Sequence, residues 1–226
     1  MIGSLASAIM LALGPPAEAQ VSVAEMPLGP TPSKANRVGR RVDSPDGTRV
    51  SWFVQRGEEV IQCTDGMESR AYDDHLVRSI VFSPDNRHVA AGVCREGQWL
   101  VTVDGRVGPG FDQVWDPVFS EDSAHVACVA RQGGEHLVII DDAVRARSDH
   151  PISRLALSPD AGEFAYVVTR DRDMDPPRET VVFRGESGPT FGWVGDLEVV
   201  THAGETTVIY RAWANERWME IGRAHV

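Results

Sequence analysis

The chain has 226 residues, 42% of them hydrophobic and 24% charged, and a formal net charge of −11. This composition is typical of a globular protein. The negative charge argues against a nucleic-acid or anionic-membrane partner, since both attract basic surfaces, and no apolar run reaches the roughly 18–20 residues that cross a bilayer. The three cysteines, Cys63, Cys94 and Cys128, have no C-x-x-C spacing, which argues against a disulfide scaffold or a metal cluster.

Residues 1–19 predict a secretory signal peptide. An apolar stretch over residues 2–13 precedes an A-x-A-like cleavage site at residues 17–19. No Lys or Arg precedes the apolar stretch, so an N-terminal helix and a wrongly chosen start codon are the alternatives. Residues 20–40 hold Pro27, Pro30 and Pro32 without periodicity and predict a linker. The signal peptide predicts a periplasmic or secreted protein.

The remainder of the chain repeats itself. "VFSPDNRHVA" at residues 81–90 returns as "VFSEDSAHVA" at residues 118–127, and steps of 39, 37 and 38 residues separate four serines that each stand two residues before an aspartate. The serines are Ser44, Ser83, Ser120 and Ser158, and the aspartates are Asp46, Asp85, Asp122 and Asp160. Because aspartate side chains bond nearby backbone N–H groups in turns, these four aspartates are predicted to be structural and not catalytic.

Each serine is followed by a predicted strand. The positions six, eight and ten residues after it are mostly apolar, which is the period of two expected of a β-strand. The position seven residues after it is small in each case: Ser51, Ala90, Ala127 and Ala165. Small residues on the second face predict that both faces of the sheet are covered.

Tight turns recur in the second half of each unit. Asp65-Gly66, Asp104-Gly105 and Asp141-Asp142 stand 21 residues after their serines, and Arg184-Gly185 stands five residues later than that in the fourth unit. Asp-Gly favours the type I′ turn, whose two central residues both have positive φ. The fourth unit therefore carries five extra residues in the hairpin around residues 169–180, and a fifth unit is predicted to begin at Thr201.

These features predict an all-β fold: an open fragment of a β-propeller with four complete four-stranded blades and the start of a fifth. Units of 37–39 residues with about four short strands are typical of propeller blades, which stack on one another around an axis. The strand before each serine ("SIVF", "DPVF", "RLAL") is predicted to be the first of its blade. The predicted blades span residues 41–77, 78–114, 115–151, 152–192 and 193–219.

The repeats resemble a known motif. "SPDGTRVSW", "FSPDNRHVA", "FSEDSAHVA" and "LSPDAGEFAYV" are similar to the WD-repeat-like motif of TolB-type bacterial β-propellers over roughly residues 41–212. Glu121 in place of proline and the degenerate "THAG" of the fifth unit depart from it. The resemblance implies the fold and says almost nothing about activity, because that family includes periplasmic interaction proteins and similar propellers are attached to prolyl-oligopeptidase-type hydrolases.

The last seven residues, "EIGRAHV" at 220–226, resemble the translation of a common sequencing adapter. We therefore expect residues 220–226 to be a read-through artefact; a natural polar tail is the alternative. An interrupted fifth blade would leave the apolar residues Val199, Val208 and Ile209 facing water, and an exposed edge of this kind invites aggregation.

One loop has the spacing of a metal site. Asp171, Asp173 and Asp175 alternate in the hairpin that carries the insertion, as the oxygen ligands of calcium loops do. Pro176 and Val182 stand where such loops have Gly and Glu, and Arg172 and Arg178 could neutralise the acids in a solvated loop. Calcium at these three aspartates is the one cofactor hypothesis that the sequence offers.

The sequence favours an exported, non-catalytic propeller that binds a protein or peptide. The alternative is the propeller domain of a larger prolyl-oligopeptidase-type serine hydrolase whose catalytic domain lies outside this chain, which a downstream G-x-S-x-G motif would reveal. A propeller that processes a sugar or another small ligand is a weaker third hypothesis, because it needs acids that converge on the central channel.

Overall fold

The computed structural model describes residues 36–171, 178–214 and 217–222. Over these residues the protein is all-β, without a helix, and forms five antiparallel sheets that follow one another along the chain. Each sheet is one blade of a β-propeller, and the described blades do not close into a ring. The predicted fold class is therefore confirmed.

The strands of each blade are hydrogen-bonded in chain order. Blade 1 consists of β1 (Asn36–Asp43), β2 (Val50–Arg56), β3 (Glu59–Thr64) and β4 (Met67–Tyr72). Blade 2 consists of β5 (Asp74–His75), β6 (Val81–Phe82), β7 (Val89–Arg95), β8 (Gln98–Val103) and β9 (Arg106–Val107). Blade 3 consists of β10 (Gln113–Val114), β11 (Val118–Phe119), β12 (Val126–Gln132), β13 (Glu135–Ile140) and β14 (Ala143–Ser148).

The last two blades have unbroken first strands. Blade 4 consists of β15 (Ile152–Leu157), β16 (Phe164–Asp171), β17 (Arg178–Phe183) and β18 (Glu186–Phe191). Blade 5 consists of β19 (Trp193–His202), β20 (Glu205–Ala214) and β21 (Arg217–Gly222). In blades 2 and 3 the first strand is split, because β5 and β6 both pair with β7 and β10 and β11 both pair with β12.

The split strands explain where the blades start relative to the predicted boundaries. β5 begins four residues before the predicted start at 78, and β10 begins two residues before the predicted start at 115. The serine spacing marks only the second half of each split strand, so the first half falls in the preceding unit. Residues 36–40, which fall in the predicted linker over residues 20–40, belong to β1, and residues 220–222 pair with β20. The division into segments otherwise stays a prediction, since residues 1–35 and 223–226 lie outside the described residues.

Both faces of the middle blades are buried, as the small residues predict. Ser51, Ala90, Ala127 and Ala165 are all essentially inaccessible. In blade 3, Ala127 and Val129 pack against Tyr166 and Val168 of blade 4. On the opposite face, Cys128 and Ala130 pack against Trp99 and Val101 of blade 2. Successive residues of one strand therefore belong to two different interfaces, and each blade is stabilised by both neighbours.

Blade 5 packs on the preceding blade with the opposite set of alternating residues from the one that blade 4 uses. In blade 4, Tyr166 and Val168, eight and ten residues after Ser158, pack on blade 3. Thr201 lies opposite Thr206, as the spacing requires, but Val208, Tyr210 and Ala212 pack on blade 4. Val199 and Val208 are only 7% and 1% exposed, so the prediction that they face water is wrong, while Ile209 is half-buried. The alternation of apolar residues decides which face is buried, since a shift of one residue exchanges the two faces of a strand.

The turn at the start of blade 5 also differs from its counterparts. In blades 1 to 4, six residues that begin with the serine connect the first strand, or the second half of the split first strand, to the next strand. In blade 5, two residues, Ala203 and Gly204, connect β19 to β20. Their φ angles of 51° and 81° are those of a type I′ turn. The hydrogen-bonded ladder therefore continues through positions that form a loop in the other blades.

Candidate functional site

One edge of the propeller is built from the serine–aspartate turns. In each of the four turns the buried serine Oγ donates to the aspartate Oδ1 over 2.5–2.7 Å and accepts the backbone N–H five residues later over 2.9–3.0 Å. The same Oδ1 accepts the backbone N–H two residues after the aspartate over 3.0–3.1 Å. The turn is thus closed by side chains as well as by backbone.

These hydrogen bonds lower the pKa of all four carboxyl groups. The N–H of Thr48 is the main cause at Asp46, and the serine hydroxyl is the main cause at Asp85, Asp122 and Asp160. The hydrogen bonds show that the four aspartates shape the turns, and that they take no part in catalysis stays a prediction.

Neighbouring turns are also bonded to each other. The Asp46 N–H donates to Asn86 Oδ1 over 3.0 Å, and the Asp85 N–H donates to Ser123 Oγ over 2.9 Å. The Asp122 N–H donates to the Pro159 carbonyl over 3.0 Å. A row of hydrogen bonds therefore links blades 1 to 4 along this edge.

A second pair of side chains repeats beside each turn. The residue five positions after the serine contacts the first residue of the type I′ turn that follows the third strand. The pairs are Arg49–Asp65 at 2.8 Å, His88–Asp104 at 2.7 Å, His125–Asp141 at 2.6 Å and Glu163–Arg184 at 3.0 Å. Blade 4 has the charges reversed, so the interaction is retained although both residue types differ.

A cleft of about 390 Å³ opens between blades 2 and 3 at the same edge. Its walls are apolar and come from both blades: Val101, Val103, Phe119, Val126 and Ile139. His88, Asp104, Arg106, Asp141 and Asp142 stand around it. Apolar walls with a few charged groups are the usual make-up of a ligand site, so this cleft is the candidate site.

Asp142 is the unusual residue of the cleft. It occupies the second position of a type I′ turn with φ 65°, where the equivalent turns have Gly66, Gly105 and Gly185. A left-handed conformation at a residue with a Cβ costs of order 1 kcal/mol. Asp142 Oδ2 lies 3.0 Å from Arg106 Nη2 of blade 2, which ties the two blades together across the cleft.

The backbone of blade 2 comes close to Asp142. A Cβ on Gly108 would lie 2.7 Å from Asp142 Oδ1, so a larger residue at position 108 would force the carboxylate to move. The Cys128 thiol also lines the cleft, but burial raises its pKa to about 12. A thiol in that state is a poor nucleophile at neutral pH.

The opposite edge of blades 4 and 5 carries a tryptophan cluster. Trp213 is the paired residue of both Trp193 and Trp218, and the Trp218 ring lies 4.8 Å from that of Trp193. The Arg154 guanidinium of blade 4 lies 4.5 Å from the Trp193 ring centre. Trp193 folds over Gly195, where a Cβ would lie 1.8 Å from the indole.

A buried carboxylate anchors this cluster. The Glu179 side chain is 7% exposed, lies 3.3 Å from Arg154 and accepts the Val194 N–H over 2.7 Å. The contacts join β15 and β17 of blade 4 to β19 of blade 5. We interpret the cluster as an interface between blades, because its polar groups bond to one another.

The predicted calcium ligands are only partly described. Asp171 is the last residue of β16 and is paired with Arg178, whereas Asp173 and Asp175 lie outside the described residues. Over residues 36–171, 178–214 and 217–222, no cluster of three His, Cys, Asp or Glu side chains could hold a metal ion. Calcium at these aspartates stays a prediction.

Sequence reasoning did not find the cleft, because its lining comes from two consecutive units and only the stacking of blades 2 and 3 brings these residues together. The signal that could have indicated it is Asp142, an aspartate in a column of glycines.

A scan against protein-family models and a search of curated proteins found no match. Solved structures of similar arrangement include a eukaryotic initiation factor (14% identity, TM-score 0.48, covering 87% of this chain and 54% of that one). They also include TolB from Acinetobacter baumannii (10% identity, TM-score 0.44, covering 84% of this chain and 55% of that one). A third is the β-propeller domain of the Trilobed protease from Pyrococcus furiosus (10% identity, TM-score 0.44, covering 82% of this chain and 69% of that one).

The chain spans about half the length of the first two of these structures. No helix among the described residues is both long and apolar enough to span a membrane. At these identities the likeness concerns the arrangement of strands.

Proposed function

We propose that this protein is an exported, non-catalytic β-propeller that binds a protein or peptide ligand. The cleft between blades 2 and 3 carries the proposal. Its volume of about 390 Å³ suits one or two side chains, and its walls are apolar while its charged groups stand at the rim. A rigid pocket that accepts a few side chains of a longer ligand is the usual anchor of a peptide interface.

The cleft is also held rigidly. Blades 2 and 3 are joined beside it by the hydrogen bond from the Asp85 N–H to Ser123 Oγ. Trp99 and Val101 of blade 2 pack against Leu137 and Ile139 of blade 3 below it. A pocket that is preformed in this way avoids the cost of ordering its side chains on binding.

Occlusion of the cleft tests the proposal. Ala124 lines the cleft and its side chain is exposed, so Ala124→Phe should fill the cleft without disturbing the core. We expect the full chain to retain a defined set of peptides from an array of random octapeptides, and the Ala124→Phe variant to lose them.

Arg87→Phe is the matched control, because Arg87 is the exposed residue at the same position of the neighbouring turn and does not line the cleft. Equal retention of the same peptides by the wild type and Ala124→Phe would refute the assignment, as would an array from which the wild type retains nothing.

Export is tested separately. If residues 1–19 are a signal peptide, the mature protein in the periplasm or medium begins at Gln20, which intact mass spectrometry measures. A full-length chain that stays in the cytoplasm would contradict export. The binding proposal would then still be tested by the peptide array.

A further inference from the structure

We infer that the cleft between blades 2 and 3 receives an arginine side chain of the ligand, an inference that rests on the proposed function. The cleft combines two properties that a long cationic side chain matches. Val101, Val103 and Phe119 form apolar walls along which the methylene groups of the arginine can lie. Asp104, Asp141 and Asp142 place carboxylates at the mouth.

The charges around the cleft favour a cation. Three carboxylates line it, and Arg106 is the one Lys or Arg among its lining residues. The whole chain carries a net charge of −11, which adds a long-range attraction for basic ligands. The three carboxylates would repel an acidic side chain, and a neutral side chain would gain no charge–charge attraction from them.

The structure already contains a guanidinium at this place. Arg106 Nη2 lies 3.0 Å from Asp142 Oδ2, and the Arg106 side chain is 72% exposed. An exposed ion pair of this kind contributes little, about 0–1 kcal/mol, so a ligand can displace it. The Arg106–Asp142 contact shows that the Asp142 carboxylate can pair with a guanidinium at the cleft.

Arginine is favoured over lysine because of the geometry of the donors. A planar guanidinium can contact one carboxylate with two parallel hydrogen bonds and still reach a second, whereas an ammonium is a compact and strongly hydrated charge. Asp104 Oδ2 and Asp141 Oδ2 already bond to His88 and His125, so Asp142 is the carboxylate that a ligand would use.

The test uses a fluorescein-labelled peptide, acetyl-Leu-Arg-Leu-Lys(fluorescein)-amide, and its citrulline counterpart, which has the same shape without the charge. We expect the arginine peptide to bind the full chain about 10-fold more tightly in fluorescence polarisation, and Asp142→Asn to abolish that difference, since charge-assisted bonds are worth about 1.5–3 kcal/mol. Arg106→Gln should strengthen binding of the arginine peptide, because it removes the internal competitor.

Two further variants separate a specific effect from a general one. Asp142→Gly has the residue of the equivalent turns and should fold like the wild type while losing the preference for arginine. Glu121→Gln removes a negative charge from the Ser120–Asp122 turn at a residue that does not line the cleft, and it should leave the preference for arginine unchanged.

Equal binding of the arginine and citrulline peptides, with both blocked by Ala124→Phe, would overturn the inference and leave the proposed function intact. An undiminished preference in Asp142→Asn would overturn the inference as well. If no peptide bound, including those from the array, both the inference and the proposed function would be overturned.

Discussion

A single buried hydroxyl organises each turn at the cleft edge. Ser83 Oγ donates to Asp85 and accepts the His88 N–H, and Ser120 Oγ does the same with Asp122 and His125. The sequence predicts the turn and its aspartate bonds, because serine, aspartate and a residue with positive φ recur at fixed spacing, but it does not predict the two bonds of the serine hydroxyl. It does not predict that Asn86 and Ser123 would also accept bonds from the preceding blade, since that depends on how the blades stack.

Ser120→Ala should therefore destabilise the protein although the side chain is small. The substitution leaves the partly buried His125 N–H without its acceptor and removes the donor to Asp122, which costs roughly 1–3 kcal/mol. Urea denaturation measures the free energy of unfolding. Ser153→Ala, at an exposed position, is the control, and equal stability of the two variants would contradict a structural role for the turn hydroxyl.

The His125–Asp141 pair should make stability depend on pH. The Asp141 carboxylate accepts a hydrogen bond from His125 Nδ1, which raises the pKa of His125. A raised pKa in the folded state stabilises the protein below the unfolded value of about 6.5, and this contribution is lost as the pH rises through the folded pKa. Because the imidazole is partly exposed, solvent screening keeps the effect below about 1 kcal/mol.

His125→Gln tests this dependence. The difference in free energy of unfolding between the wild type and the variant should be larger at pH 5.5 than at pH 8.5, as measured by urea denaturation at both values. A difference that is the same at both values, or that grows as the pH rises, would contradict the role of the pair.

At the scale of strands and turns, sequence reasoning identified most elements because their signals are local. The residues at Asp65-Gly66, Asp104-Gly105 and Arg184-Gly185 have positive φ at both positions, as a type I′ turn requires. The split of the first strands into β5/β6 and β10/β11 could not be predicted, because two-residue strands carry no periodicity. Val199 and Val208 were expected to face water because the fifth blade is interrupted, but they lie on the face that packs against blade 4, and that depends on how the blades stack.

The reversed pair in blade 4 provides a test at this scale. Glu163→Arg and Arg184→Asp should each destabilise blade 4 by about 0.2–1 kcal/mol, because each places like charges together. The double variant recreates the Arg49–Asp65 pair of blade 1 and should recover the loss. In blade 1, Asp65 Oδ1 also accepts a hydrogen bond from the Val50 N–H. Phe164 holds the position of Val50 in blade 4, so an aspartate carboxylate at position 184 would be placed to accept the Phe164 N–H.

A double-mutant cycle measured by thermal or urea unfolding gives the coupling energy. Additive losses, with the double variant less stable than either single variant, would show that the two side chains do not interact in solution.

At the scale of the molecule, the blades differ in how well their flanks are covered. Trp218 and Val200 of blade 5 are 54% and 37% exposed, and they lie on the blade that has no further described neighbour. Large exposed apolar groups at a sheet favour association. The location of the cleft also belongs to this scale, because its lining comes from two blades and neither blade forms it alone.

We expect the chain to self-associate through blade 5. Sedimentation velocity should show concentration-dependent association of the wild type and a shift towards monomer in Trp218→Lys. Met67→Lys is the control, since Met67 is 71% exposed but lies on blade 1. A monomeric wild type at all concentrations, or an equal effect of both substitutions, would contradict association through this flank.

The row of bonds between neighbouring turns has a consequence for how such a chain can lengthen. Within one repeat, the aspartate N–H is directed at the following blade, and the next residue of the turn, Asn86 or Ser123, accepts from the preceding one. A tandem gene duplication would thus copy the donor and acceptor groups of these hydrogen bonds together with the blades that they link. New copies would be compatible with their neighbours from the outset, before any substitution had adapted them.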